Sequence, residues 1–201
     1  NIDLQYAAPL LCSGITTYSP MMHQKIKKGD KIGIIGIGGL GHIAVKIAVA
    51  KGAEVYAFTT SESKKQDILG FGAKEVIFVD STEKLKPYFG KLDYMLSTVP
   101  YDYDMLSYTN CVKPYGTFTQ VGMPINGELN FNVSPFFANR VNFNGSMIGG
   151  IPQTQEVIDY CAENNILPQI EIIPASRINE AWEKVINKEA RYRYVIDAAT
   201  I

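Results

Sequence analysis

Three glycines carry the most informative chemistry in this sequence. Gly36, Gly38 and Gly41 are spaced as GxGxxG, with Gly39 as an additional glycine and Leu40 completing the run. A run of this kind between a buried strand and a helix suits a diphosphate. The first glycine permits a tight turn, the second lets the backbone come close to the ligand, and the third lets the helix pack on the strand. The helix N-terminus adds unpaired amides and about half a positive charge. Glycine-rich turns are common, so the motif carries weight only in a strand–turn–helix setting.

A second group lies further along, at Phe58-Thr59-Thr60-Ser61-Glu62-Ser63-Lys64-Lys65. About 20 residues after such a loop, an Asp or Glu holds the ribose 2′-hydroxyl of NAD. No acid stands at this strand end, and Glu62 reads as a first-turn helix acid facing away. Thr59, Thr60 and Ser61 offer hydroxyls, and Lys64 and Lys65 offer charge. This set suits a 2′-phosphate and favours NADP(H) over NAD. One charged hydrogen bond of this kind contributes about 1.5–3 kcal/mol, enough for a tenfold to hundredfold preference. The lysine pair also fits a solvated helix face.

The remaining reactive side chains are sparse. Cys12, Cys111 and Cys161 are an odd, widely spaced set without a CxxC pair, which fits a reducing cytoplasm and no disulfide framework. Cys111 and Cys161 fall on apolar helix faces and read as core. His23 and His42 are the two histidines, and His42 sits in the glycine loop.

The elements that must position these groups alternate. Lys31 to Ile35 is a short apolar strand, followed after the loop by a helix through Ile43, Ala44, Ile47 and Val49 that Gly52 stops. Strands are expected at Glu54–Phe58, Glu75–Val79, Leu92–Leu96, Thr117–Val121 and Asn142–Ile148. Ser61 caps a helix to about Leu69, and Met105 to Val112 is another. The stretch from Glu128 to Val133 reads as an edge strand or an oligomer contact. The alternation implies βαβ units, hence an α/β, doubly wound (Rossmann) six-stranded parallel sheet. A tail follows, with a helix at Gln153–Glu163, a strand at Ile170–Ile173, a helix at Ile178–Ile186 and a strand at Tyr192–Ile196. It does not extend the six-strand pattern.

Composition narrows the partners. The 201 residues carry a formal net charge of −1, with 46% apolar and 19% charged residues. Without a basic run, neither nucleic acid nor an acidic membrane surface is an expected partner. The Tyr101, Tyr103 and Tyr108 group lacks the basic groove that base stacking needs. No apolar run approaches the ~20 residues of a membrane span. The chain opens at Asn1 without a methionine, which fits a processing product or a fragment edge.

Ala8-Pro9-Leu10-Leu11-Cys12-Ser13-Gly14-Ile15-Thr16-Thr17-Tyr18-Ser19-Pro20 resembles the segment joining the two domains of zinc-dependent medium-chain alcohol dehydrogenases. The loop Gly36 to His42 and the tail Ile178 to Trp182 and Arg191 to Asp197 also resemble that family, and its cinnamyl alcohol dehydrogenase branch in particular. The resemblance implies NADP-dependent interconversion of small-molecule alcohols and aldehydes, with a catalytic zinc of three protein ligands and one open position. It maps one zinc ligand onto Cys12. It places Thr16 beside the nicotinamide and Thr98, Val99, Val121 and Gly122 around the carboxamide. It puts Arg193 on the pyrophosphate, with Arg191 competing for that role. It also implies a homodimer of paired coenzyme domains.

In that family the other zinc ligands and a four-cysteine lobe lie upstream of everything present here. The chain thus resembles the C-terminal two-thirds of such an enzyme. The resemblance implies that residues 1–13 are a remnant of the catalytic domain or its connector, 14–150 the dinucleotide-binding domain, and 151–201 a segment returning to the catalytic domain. Taken alone, the chain is expected to bind zinc weakly or not at all and to be impaired in hydride transfer. Two other readings compete with the dehydrogenase. One is a nucleotide-binding module without catalysis, and the other is a methyltransferase with a similar glycine loop.

Overall fold

The computed structural model describes every residue except Asn1, Ile125 and Phe131. It opens with α1 (Leu4–Pro9), passes through a π-helical segment (Leu10–Gly14) and continues as α2 (Ile15–His23). The Ser13 hydroxyl donates to the Pro9 carbonyl at 2.6 Å and the Thr17 hydroxyl to that of Ser13 at 2.8 Å. Hydroxyls bonded back onto a helix compete with its ladder and bend it. The wider turn, of a kind frequent at functional sites, falls on Cys12.

Next come β1 (Lys31–Ile35), α3 (Gly41–Ala50), β2 (Glu54–Thr59) and α4 (Lys65–Gly70), the last entered through a 3-10 turn at Glu62–Lys64. They are followed by β3 (Glu75–Phe78), β4 (Leu92–Ser97), α5 (Met105–Thr109), β5 (Val112–Gln120), α6 (Ser134–Ala138) and β6 (Asn142–Gly145). The tail holds α7 (Ile151–Glu163), β7 (Ile170–Pro174), α8 (Ile178–Ile186) and β8 (Arg193–Asp197).

The six strands β1 to β6 form one sheet in the order β3-β2-β1-β4-β5-β6. Every pairing in it is parallel. Such a sheet must be covered on both faces, and it has two cores. Ile32 and Ile34 of β1 pack with Ile43 and Ile47 of α3 on one face. Ile35, Phe58, Met95 and Phe118 pack on the other. Each large apolar side chain so buried contributes about 1.5–3 kcal/mol. Strand order reverses between β1 and β4, so the end of β1 opens on a crevice, the usual ligand position in such sheets. β7 and β8 form a separate parallel pair.

Several expected elements have different bounds. The helix expected at Met105–Val112 stops at Thr109, because Asn110 caps it and Val112 pairs with Leu92 in β5. β5 therefore starts five residues before Thr117 and includes Pro114 and Gly116. It accommodates them through a register shift between Leu92 and Tyr94 and a positive φ of 63° at Tyr115. β6 ends at Gly145 rather than Ile148, whose φ of 42° cannot continue a strand. Ser61 makes no side-chain cap bond; its hydroxyl lies 3.1 Å from that of Ser63. The described residues of 128–133 form no strand, and Phe131 in that stretch lies outside the described residues. The helix at Gln153 begins two residues earlier, where Pro152 occupies the first turn.

Candidate functional site

β1 ends at Ile35 and the chain turns at Gly36, where φ is +81°. A side chain there would be strained and would also press on Val99 and Thr98. At Gly41 a Cβ would overlap the Gly36 carbonyl oxygen, so α3 lies against the strand end at a distance only glycine allows. Gly38 has the opposite surroundings: a Cβ would meet nothing within 4 Å, so its face is open to the crevice. The amide of Gly36 donates to the Phe58 carbonyl and that of Gly38 to the Gly36 carbonyl. Among the described residues the amides of Gly39 and Leu40 have no partner.

Side chains from other elements close on this loop. The Thr98 hydroxyl donates to the Gly36 carbonyl at 2.6 Å. Arg193 lies across Gly39, its Nε donating to the Gly39 carbonyl at 2.9 Å. Its Nη2 is buried with no hydrogen-bond partner. A buried guanidinium nitrogen left unpaired is costly, and its natural complement is an anion.

His42 is fully buried on the first turn of α3. The Gln169 amide donates to Nε2 at 3.1 Å, so the proton is on Nδ1, which donates to the Gly38 carbonyl at 3.0 Å. Burial pushes its pKa down to about 3, and the nearby Lys46 and Arg193 charges add to the shift. The imidazole stacks on Tyr192 with centroids 5.0 Å apart. His42 is thus a neutral link between the loop and the tail, a role that sequence reasoning missed. Its position inside the motif was the available signal.

The second group splits. Thr59 is buried and accepts from the Ser61 amide at 3.1 Å, while Thr60 is exposed. Lys64 is buried, its ammonium donating to the Ile37 carbonyl at 3.0 Å and lying over the Tyr192 ring. Lys65 is exposed. Arg191 reaches across from the tail to donate to the Ser63 hydroxyl at 2.9 Å. Ser61, Ser63 and Arg191 are therefore one cluster, which the sequence separates by 128 residues between the last two. A groove of about 740 Å³ borders Ser63, Asp67 and Arg191, but no glycine-loop residue lines it.

Among the other candidates, Val99 and Thr16 are buried, and the Gly122 amide bonds to the Ser97 carbonyl. Gln120, missed in the sequence, braces this wall by donating to the Val99 and Gly122 carbonyls at 2.9 and 2.6 Å. Val121 donates its amide to Ser97 as well. Cys12 is exposed, whereas burial pushes the thiols of Cys111 and Cys161 up to about 12. Among the described residues no group of three or more His, Cys, Asp or Glu can hold a metal ion. The residues present do not by themselves fit zinc.

An all-parallel sheet in this order, with a glycine turn at its switch point, defines a dinucleotide-binding α/β fold. Residues 39–163 match the zinc-binding dehydrogenase family, and the chain belongs to that family. Aldehyde reductase YahK of Escherichia coli (strain K12) is 43% identical over 199 residues, which cover 99% of this chain and 57% of that protein. NADP-dependent alcohol dehydrogenase C 1 of Mycolicibacterium smegmatis is 43% identical over 201 residues, covering 100% of this chain and 57% of that one. Among solved structures, a cinnamyl alcohol dehydrogenase from Sorghum bicolor superposes with a TM-score of 0.95 at 32% identity, covering 98% of this chain and 56% of its own. CAD from Helicobacter pylori complexed with NADP(H) gives 0.90 at 41% identity, covering 99% and 56%. The chain thus spans a little over half the length of these relatives.

Proposed function

We propose that this chain is the coenzyme-binding part of an NADP(H)-dependent zinc alcohol dehydrogenase or aldehyde reductase of the cinnamyl alcohol dehydrogenase kind. The unpaired Nη2 of Arg193 carries the reading, because Arg193 lies across Gly39, whose own amide and that of Leu40 also lack partners among the described residues. Gly39, Leu40 and Arg193 hold the diphosphate. Thr60 and Ser61, with Ser63, Lys65 and Arg191, hold the 2′-phosphate. Thr16, Thr98, Val99, Val121 and Gly122 wall the nicotinamide end. The nicotinamide, when bound, supplies or accepts a hydride.

The names of the relatives support both the coenzyme and an alcohol or aldehyde substrate. Residues 14–150 form the coenzyme domain in this reading, and 1–13 and 151–201 belong with a catalytic domain. Cys12 offers one thiolate toward zinc. Two copies pair at the open β6 edge, where Val133, Phe137 and Met147 are exposed; sedimentation measures this pairing, and a monomer removes it.

Calorimetric titration with NADPH, NADH and S-adenosylmethionine tests the reading. NADPH is expected to bind best and S-adenosylmethionine not at all. Arg193→Gln is expected to weaken NADPH tenfold or more, since it removes a charge-assisted contact. Binding of S-adenosylmethionine alone would replace this reading with a methyltransferase.

A further inference from the structure

Four consecutive carbonyls of the glycine loop are each held by a side-chain donor, three of them from distant parts of the chain. Thr98 holds Gly36, Lys64 holds Ile37, His42 holds Gly38 and Arg193 holds Gly39, at 2.6, 3.0, 3.0 and 2.9 Å. The four donors stand after β4, before α4, on α3 and in β8.

In a trans peptide the carbonyl and the following amide point in opposite directions. Fixing the Gly38 and Gly39 carbonyls on the protein side therefore fixes the Gly39 and Leu40 amides on the crevice side. Among the described residues both of those amides lack partners. Three glycines in four residues would otherwise lose much conformational freedom when the loop orders around a ligand. Holding the loop in advance removes that cost from binding. Two of the donors are cations, so the clamp also places positive charge behind the peptides that face the anion.

We propose that Thr98, Lys64, His42 and Arg193 form a carbonyl clamp that presets the loop for a diphosphate, with Lys64 a positioning residue rather than a reader of the 2′-phosphate. The proposal rests on the dinucleotide reading above and deepens it. The three bonds to Ile37, Gly38 and Gly39 come from residues joined through one ring: His42 stacks on Tyr192, Lys64 lies over it at 5.4 Å, and Arg193 follows it in the chain. The tail thus braces the loop at Tyr192 and Arg193, and through the Gln169 amide on His42.

The test is Lys64→Met, titrated with NADPH, NADH and adenosine 2′-monophosphate, which carries the 2′-phosphate but no diphosphate. The clamp predicts that NADPH and NADH weaken by the same factor, roughly tenfold, while adenosine 2′-monophosphate is unchanged. Loss confined to NADPH and adenosine 2′-monophosphate, with NADH spared, overturns the proposal, because Lys64 then reads the 2′-phosphate directly. Equal loss of all three, or loss of none, also overturns it. His42→Asn and His42→Leu give an independent readout. Asn keeps a donor for the Gly38 carbonyl and is expected to retain more NADPH affinity than Leu; equal affinities remove His42 from the clamp. Wild-type protein that binds none of the three ligands would instead overturn the dinucleotide reading itself.

Discussion

Charge is placed differently at the two ends of the proposed coenzyme site. At the diphosphate end, Lys64 is buried and Arg193 half-buried, and both spend donors on loop carbonyls. At the ribose end, Arg191 and Lys65 are exposed, and Arg191 donates to the Ser63 hydroxyl, which lies 3.1 Å from that of Ser61. Arg191→Glu is therefore expected to weaken NADPH tenfold to hundredfold and to leave NADH nearly unchanged, as measured by fluorescence titration. Equal losses for the two coenzymes would remove Arg191 from 2′-phosphate selection. His42 adds a pH signature. Its folded pKa of about 3 lies below the ordinary 6.5, so the unfolded chain takes up a proton that the folded chain refuses. Stability from this residue is complete above about pH 6.5 and is lost as pH falls toward 3. Urea unfolding should show a drop of about 2 kcal/mol from about pH 7 to about pH 5 that His42→Gln abolishes. A pH-independent midpoint would mean the ring is not buried neutral.

The turn from β1 into α3 depends on contact between backbones, not between side chains. Gly41→Val would drive a branched side chain into the Gly36 carbonyl. Loss of dinucleotide binding is expected, with a melting temperature several degrees lower. Binding equal to wild type would show that the loop is not held against β1. This turn was legible in the sequence, because strand, glycines and helix are contiguous, and β1 and α8 have the bounds their residue patterns predict. β5 was only half legible, because Pro114 and Gly116 hide a strand whose irregular pairing tolerates them. Lys64 was legible as a candidate but not in its contact. Its partner, the Ile37 carbonyl, lies 27 residues away and carries no sequence signal. Arg191 and Ser63 are likewise brought together only by the docking of the tail.

For the whole molecule, a net charge of −1 leaves no global field to attract a phosphate-rich ligand. Affinity must come from the geometry at the end of β1. No helix among the described residues is long and apolar enough to cross a membrane. Cys12 offers a single thiolate, and no described group completes a metal site. These 201 residues are therefore expected to retain far less than one zinc per chain by atomic emission while still binding NADPH; a full equivalent would reveal ligands outside this account. The most direct measurement is a crystal structure with NADPH bound. Diphosphate oxygens are expected about 2.7–3.2 Å from the Gly39 and Leu40 amides and from Arg193 Nη2, with the Lys64 bond to Ile37 intact. A nucleotide seated elsewhere, with those two amides and Nη2 still unpaired, would contradict that expectation.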